Sequence, residues 1–102
     1  GGIRLNEPAL DLGLAVSIAS SFRDKPVSPY DVVIGEVGLT GEVRAVSRIE
    51  ARVMEAQKLG FKRVIIPYKN TTGWKYPDNI KVIAVQTVQE AIQVMLEGVR
   101  HG

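Results

Sequence analysis

The residue types that could do covalent or acid–base chemistry are few in this sequence, and they are badly spaced for it. The only histidine is His101, one residue from the carboxyl end, where chains fray, so a serine–histidine–aspartate relay has no firm base. There is no cysteine, which removes thiolate nucleophiles, thiolate zinc sites and disulfides together. The acidic residues stand singly, mostly near expected helix starts and turns, without the spacing of a metal site. Gly35, Gly38 and Gly41 recur every third residue. They lack the lysine of a phosphate-binding loop and sit in an expected hairpin rather than at the opening of a helix.

Positive charge is the more informative feature. Thirteen lysines and arginines against eleven acids give a net charge of only +2, but the balance is uneven along the chain. Residues 1–42 carry three basic and six acidic side chains, whereas residues 43–81 carry nine basic (Arg44, Arg48, Arg52, Lys58, Lys62, Arg63, Lys69, Lys75, Lys81) and three acidic (Glu50, Glu55, Asp78). A positive stretch of this kind attracts polyanions, of which nucleic acid is the usual one. The competing reading is a solvated surface on which the charges disperse once the chain folds. Tyr68, Trp74 and Tyr76 lie among Lys69 and Lys75 in a polar stretch. Such a mixture can stack on unpaired bases, or the tryptophan can pin a long loop onto the core.

These side chains must be positioned by one small domain, since 102 residues support a single core. Apolar residues make up 45% and charged residues 24%, which argues against disorder. No apolar run approaches the roughly 18 residues that span a bilayer, and a cytoplasmic location with no membrane partner is expected. Gly1 to Leu5 reads as a short strand, followed by Asn6 as a helix N-cap, Glu7 and Pro8 in the first turn, and a helix from Ala9 to about Phe22. That helix is apolar on nearly every side and should be buried on nearly every side. Val32–Ile34 and Val43–Val46 read as the arms of a hairpin over 32–46, turning at Gly38–Gly41. Ser47-Arg48-Ile49-Glu50 has capping-box spacing and opens a helix that Gly60 ends. Strands are expected at Phe61–Ile66 and Ile80–Val85, separated by the loop 68–79. Thr87-Val88-Gln89-Glu90 opens a last helix with Val88, Ala91, Ile92, Met95 and Val99 on one stripe. The alternation of helices and strands predicts a two-layer α/β domain with a mixed sheet.

Three segments carry a resemblance. Gly35-Glu36-Val37-Gly38-Leu39-Thr40-Gly41-Glu42-Val43-Arg44-Ala45-Val46 resembles the Lon protease segment in which a hairpin leads to the helix bearing the catalytic lysine. Asn6-Glu7-Pro8-Ala9 matches the position of Lon's D-G-P-S motif. Glu55 to Pro67, through Leu59-Gly60-Phe61-Lys62-Arg63-Val64-Ile65-Ile66-Pro67, resembles the segment after that helix. Within the superfamily, Glu36–Arg44 and Ala19–Asp24 are similar to the Lon-like domain of the RadA (Sms) family of bacterial DNA-repair ATPases rather than to Lon itself. The likeness implies a fold of the Lon proteolytic-domain or ribosomal protein S5 domain 2-like type, with residues 1–102 as one partial domain truncated at its amino end.

Lon uses a serine nucleophile and a lysine base. By the resemblance, Ala9 and Glu50 occupy those two positions, so no catalytic residue is expected. A methyl group cannot attack a carbonyl, and a carboxylate cannot replace that lysine. Ser17, Ser20 and Ser47 are expected to serve the backbone rather than replace the nucleophile. The family likeness implies a parent that is a DNA-dependent ATPase acting by branch migration in homologous recombination. Its ATP, magnesium and zinc sites would lie outside this chain, which needs no cofactor of its own. It also implies single-stranded or branched DNA as partner and a homo-oligomeric, hexameric ring in the parent, with this non-catalytic module contributing DNA binding and ring assembly. Arg44, Arg48, Arg52, Lys62, Arg63 and Lys69 are the candidate DNA contacts, with Arg48 and Arg52 expected one turn apart on one helix. The alternatives are an oligomerisation scaffold without DNA contact and a Lon-type serine peptidase.

Overall fold

The computed structural model describes residues 9–97. The expected opening strand, the Asn6 cap with Glu7 and Pro8, Val99 and His101 lie outside the described residues. The elements run β1 (Leu10–Asp11), α1 (Leu12–Arg23), β2 (Asp31–Val33), β3 (Glu36–Val37), β4 (Val43–Arg44), α2 (Ile49–Lys58), β5 (Arg63–Pro67), a 3₁₀ turn (Tyr68–Asn70), β6 (Lys81–Val85) and α3 (Val88–Glu97). The fold is α/β, with two small sheets and three helices among the described residues.

The single mixed sheet expected from the sequence is instead two sheets of different kind. One is antiparallel in the order β1-β3-β4, and the other is parallel in the order β2-β5-β6. In the parallel sheet successive side chains point to opposite faces, and both faces are covered. Ile65 and Val85, with Val33 and Ile83 beside them, pack with Leu12, Val16, Ala91 and Met95 of α1 and α3. Val64 and Ile66, with Val32, Val82 and Ala84, pack with Ile49, Val53 and Ala56 of α2 and with Trp74 of the loop. A short parallel sheet buried on both faces explains why β5 reads Val-Ile-Ile without alternation. α2 and the aromatic loop therefore share one layer, opposite α1 and α3.

The expected hairpin over 32–46 divides at Gly35. Residues 31–33 join the parallel sheet beside β5, while β3 and β4 form a shorter hairpin. Gly35 has φ +151°, and a Cβ there would meet Leu12, Val43 and Pro67 at 3.2–3.4 Å; its carbonyl accepts the Leu12 N–H at 2.9 Å. Only glycine fits a junction this crowded at that angle. The turn itself behaves as its residues demand. Gly41 donates to the Gly38 carbonyl, Gly38 donates to the Glu42 carbonyl, and Gly41 has φ +85°, the arrangement of a three-residue hairpin loop with a glycine bulge.

Two helix starts differ from expectation. α1 begins at Leu12, not at Ala9, because Leu10 and Asp11 pair with Val37 and Glu36. The Asp11 carboxylate then caps it, accepting the Leu14 N–H at 2.9 Å. Nor is α1 buried all round: Leu12 and Val16 face the core, while Leu14, Ile18 and Phe22 are 50%, 56% and 91% exposed. At α2 the capping box does not form. Arg48, not Ser47, is the N-cap, in the left-handed region at φ 58°, and no side chain caps it. Glu50 instead lies in the first turn, where its charge suits the helix dipole. The exit of α2 follows the sequence closely. Gly60 has φ +96° and donates to Gln57, and Phe61 donates to Ala56, which is a Schellman ending. At α3 the Thr87 hydroxyl accepts the Glu90 N–H at 3.1 Å, and the Glu90 carboxylate reaches back to accept the Gln86 N–H at 2.7 Å, one residue beyond the Thr87 N–H of a reciprocal capping box.

Candidate nucleic-acid interface

The basic candidates separate into three situations. Arg48, Arg52, Lys62 and Lys69 are exposed and ion-paired to no other described residue. Arg44 is partly buried and its Nε lies 3.4 Å from the Glu42 carboxylate. Arg63 is enclosed: its guanidinium pairs with Asp31 at 2.5 Å, with the two side chains 13% and 7% exposed, and it also donates to the Val94 carbonyl of α3 at 3.3 Å. Asp31 and Arg63 are register partners on β2 and β5. The ion pair thus joins two strands and a helix, and its positive charge is spent inside the protein.

Topology then decides which exposed charges are neighbours. α2 leads into β5 through the Gly60 turn, so the amino end of α2 lies toward the carboxyl end of β5. Asn70 fixes that arrangement. Its side-chain oxygen accepts the Val46 N–H at 2.9 Å, and its amide nitrogen donates to the Val46 carbonyl at 3.0 Å. This two-point clasp holds the start of the aromatic loop to the segment just before Arg48. Arg48, Arg52 and Lys69 are therefore brought to one end of the α2 layer, with Arg48 and Arg52 bordering one shallow depression beside Ala51 and Glu55. Arg48 precedes the helix rather than lying within it, and its carbonyl accepts the Arg52 N–H at 3.0 Å. Lys62 stands at the opposite end of β5, roughly 20 Å away at about 3.3 Å per residue. There the Lys81 N–H bonds to the Lys62 carbonyl.

The loop residues were only partly foreseen. Trp74 is partly buried against the α2 core and its Nε1 donates to the Asn70 carbonyl at 2.6 Å, so the tryptophan does pin the loop. Asn70 was not among the sequence candidates. The clasp joins residues 24 apart, and no local pattern announces it. Lys75 is exposed in the loop and directly follows Trp74, whose ring is hydrogen-bonded to Asn70.

The neighbouring turn is strongly polarised. The Glu42 carboxylate folds over the hairpin, accepting the Thr40 hydroxyl at 2.5 Å and the Thr40 N–H at 3.1 Å. The Thr40 hydroxyl bond above all, then bonds from backbone N–H groups and Arg44, holds its pKa at about 2 against the ordinary 4.5.

Ala9 lies just before β1, in a surface depression with Leu10, Val37, Gly38 and Leu39, and Glu50 is exposed on α2. The Ser20 hydroxyl donates to the Lys25 carbonyl at 2.5 Å at the end of α1, and Ser47 is exposed and caps nothing. Among the described residues no group of three His, Cys, Asp or Glu side chains is placed to hold a metal, and no helix is long and apolar enough to cross a membrane.

Comparison with known proteins gives the context. A family model described as subunit ChlI of Mg-chelatase matches residues 1–70. The chain is 68% identical to DNA repair protein RadA of Halalkalibacterium halodurans over 96 residues, covering 94% of this chain and 21% of that protein. It is 62% identical over 98 residues to DNA repair protein RadA of Bacillus subtilis strain 168, covering 96% of this chain and 21% of that protein. Against DNA repair protein RadA of Listeria monocytogenes it is 56% identical over 96 residues, again 94% and 21%. The chain thus spans about a fifth of the length of the curated relatives it matches. Matched by the family model over most of its length and by these proteins over nearly all of it, the chain belongs to the ChlI family and to the RadA line of bacterial DNA repair proteins.

Proposed function

We propose that this chain is a non-catalytic, Lon-like module of a DNA-repair ATPase, and that it binds DNA by its phosphates through Arg48, Arg52, Lys69 and Lys75. One observation carries the reading: in a chain so close to RadA proteins, these side chains are exposed, the Asn70–Val46 clasp gathers Arg48, Arg52 and Lys69 at one end of the α2 layer, and Lys75 follows Trp74, which bonds to Asn70. Phosphate contacts of this kind give affinity and register without sequence readout. Arg44 and Arg63 act as structural partners of Glu42 and Asp31, and Lys62 adds only its distant field. Peptide hydrolysis is no part of the function, because Ala9 and Glu50 supply neither a nucleophile nor a lysine base. The parent's branch-migration activity and its ATP, magnesium and zinc sites belong to the remaining four fifths of the protein.

Fluorescence anisotropy with labelled DNA tests the reading. Arg48→Glu and Arg52→Glu each weaken binding several-fold and flatten its salt dependence by about one unit of slope, while Lys62→Glu changes little. Unaltered binding by both arginine variants contradicts it.

A second reading, subunit assembly, is favoured by the outward Leu14, Ile18 and Phe22 of α1, which form one apolar stripe at helical spacing. The two roles use opposite layers and are compatible. Deleting the module from the parent abolishes the ring if assembly is its task; an intact ring after deletion removes this second reading.

A further inference from the structure

The loop 68–79 holds three aromatic rings that the structure treats unequally. Trp74 is the inner one, partly buried against the α2 core and bonded through Nε1 to the Asn70 carbonyl. Tyr76 leans on it, with ring centroids 4.7 Å apart and planes at 56°. Tyr76 is itself 37% exposed, and Tyr68, directly after β5, is 55% exposed. Each tyrosine is adjacent in sequence to an exposed lysine, as Tyr68-Lys69 and Lys75-Tyr76. Both ends of the loop are fixed, one by the Asn70 clasp on Val46 and the other by the pairing of β6 with β5. The rings are therefore presented on a braced support.

We infer that Tyr68 and Tyr76 are stacking platforms for unpaired bases, so that this loop recognises single-stranded nucleic acid. The inference rests on the DNA-binding reading above and assigns, within the same surface, the residues that contact the bases of a single strand. Every base has a π-face that an aromatic ring can cover, and a positively charged flank holds the adjacent phosphate. A duplex keeps its bases stacked inside and offers the rings nothing comparable. The lysines serve both kinds of strand, whereas the tyrosines serve one. Trp74 is the buttress: it sets the angle of Tyr76 and stays in the core.

The test compares binding of the 102-residue chain to an unstructured oligothymidylate and to a duplex of the same length. Tyr68→Ala and Tyr76→Ala each lower single-strand affinity about tenfold and leave duplex affinity unchanged. The Leu variants, which keep apolar bulk and the packing of the loop, lose single-strand affinity to the same degree, and the Phe variants retain it. Leu variants that bind the single strand as tightly as the parent chain overturn the inference, as do Phe variants that fail like Ala. A wild-type chain that binds duplex but not oligothymidylate also overturns it while leaving the phosphate reading standing. Binding to neither overturns both.

Discussion

Arg48 joins the local backbone to the function proposed for this surface, and replacing it separates the two. It sits at φ 58°, ψ 39°, immediately before α2, without a side-chain cap. For a residue bearing a Cβ the left-handed region costs roughly 1–2 kcal/mol, because the Cβ crowds the following carbonyl oxygen. Arg48→Ala keeps that strain and removes the guanidinium. Arg48→Gly removes both, and loses roughly 0.5–1 kcal/mol of the gain to the greater freedom of an unfolded glycine. The glycine variant is therefore more stable than the alanine variant by about 0.5–1 kcal/mol. At about 4–8 °C per kcal/mol for a domain of this size, the difference amounts to roughly 4 °C in Tm. In a helix interior the order reverses, with glycine about 1 kcal/mol below alanine. Urea and thermal unfolding followed by circular dichroism give the order directly, and anisotropy on the same samples gives DNA affinity. Both variants remove the phosphate contact proposed for Arg48 and are expected to weaken binding equally. An alanine variant at least as stable as the glycine variant refutes the backbone argument. Glycine and alanine variants that bind DNA like the parent refute the role of the charge.

The Asp31–Arg63 pair is nearly enclosed, with side chains 7% and 13% exposed; Asp31→Asn or Arg63→Met alone costs about 3 kcal/mol by leaving one partner unmatched, measured by urea unfolding. The double variant, Asp31→Asn with Arg63→Met, recovers part of that loss, and strict additivity contradicts the coupling. Glu42 is expected to titrate with a midpoint of about 2, which NMR checks. Its folded pKa lies below the unfolded 4.5, so its contribution to stability is fully present above pH 4.5 and disappears as pH falls toward about 2. A Cβ on Gly38 would come within 2.0 Å of the Glu42 carboxylate, so Gly38→Ala dislodges it and moves the midpoint back toward the ordinary value. An unmoved midpoint contradicts the folded-over carboxylate.

Local chemistry was legible wherever a residue's own backbone preference decides the outcome. Gly38 and Gly41 built the turn, Gly60 ended α2, and Thr87 opened α3. Apart from Ser47, which does not cap α2, and the outer face of α1, which is exposed, the expectations that failed were those in which a distant partner outweighed a local preference. Ala9, Leu10 and Asp11 suit a first helical turn, but pairing with Glu36 and Val37 draws Leu10 and Asp11 into a strand. Val32 to Val46 reads as one hairpin until Gly35 is seen wedged among Leu12, Val43 and Pro67. For the surface, the excess of basic residues between 44 and 81 was visible at once. Which of them share an end of the fold was not, because that depends on the 24-residue clasp from Asn70 to Val46. The enclosure of Arg63 was equally hidden, since Asp31 lies 32 residues away.

The central claim is that this surface binds DNA by neutralising phosphates, and salt titration of the wild-type affinity tests it most directly. Four contacts, from Arg48, Arg52, Lys69 and Lys75, give a slope of about −3.6 in log K against log salt on duplex DNA. That slope corresponds to a loss of about a hundredfold between roughly 50 and 200 mM salt. The account predicts that slope, reduced by about one unit in Arg48→Glu. No binding at low salt, or binding whose strength is indifferent to salt, contradicts it.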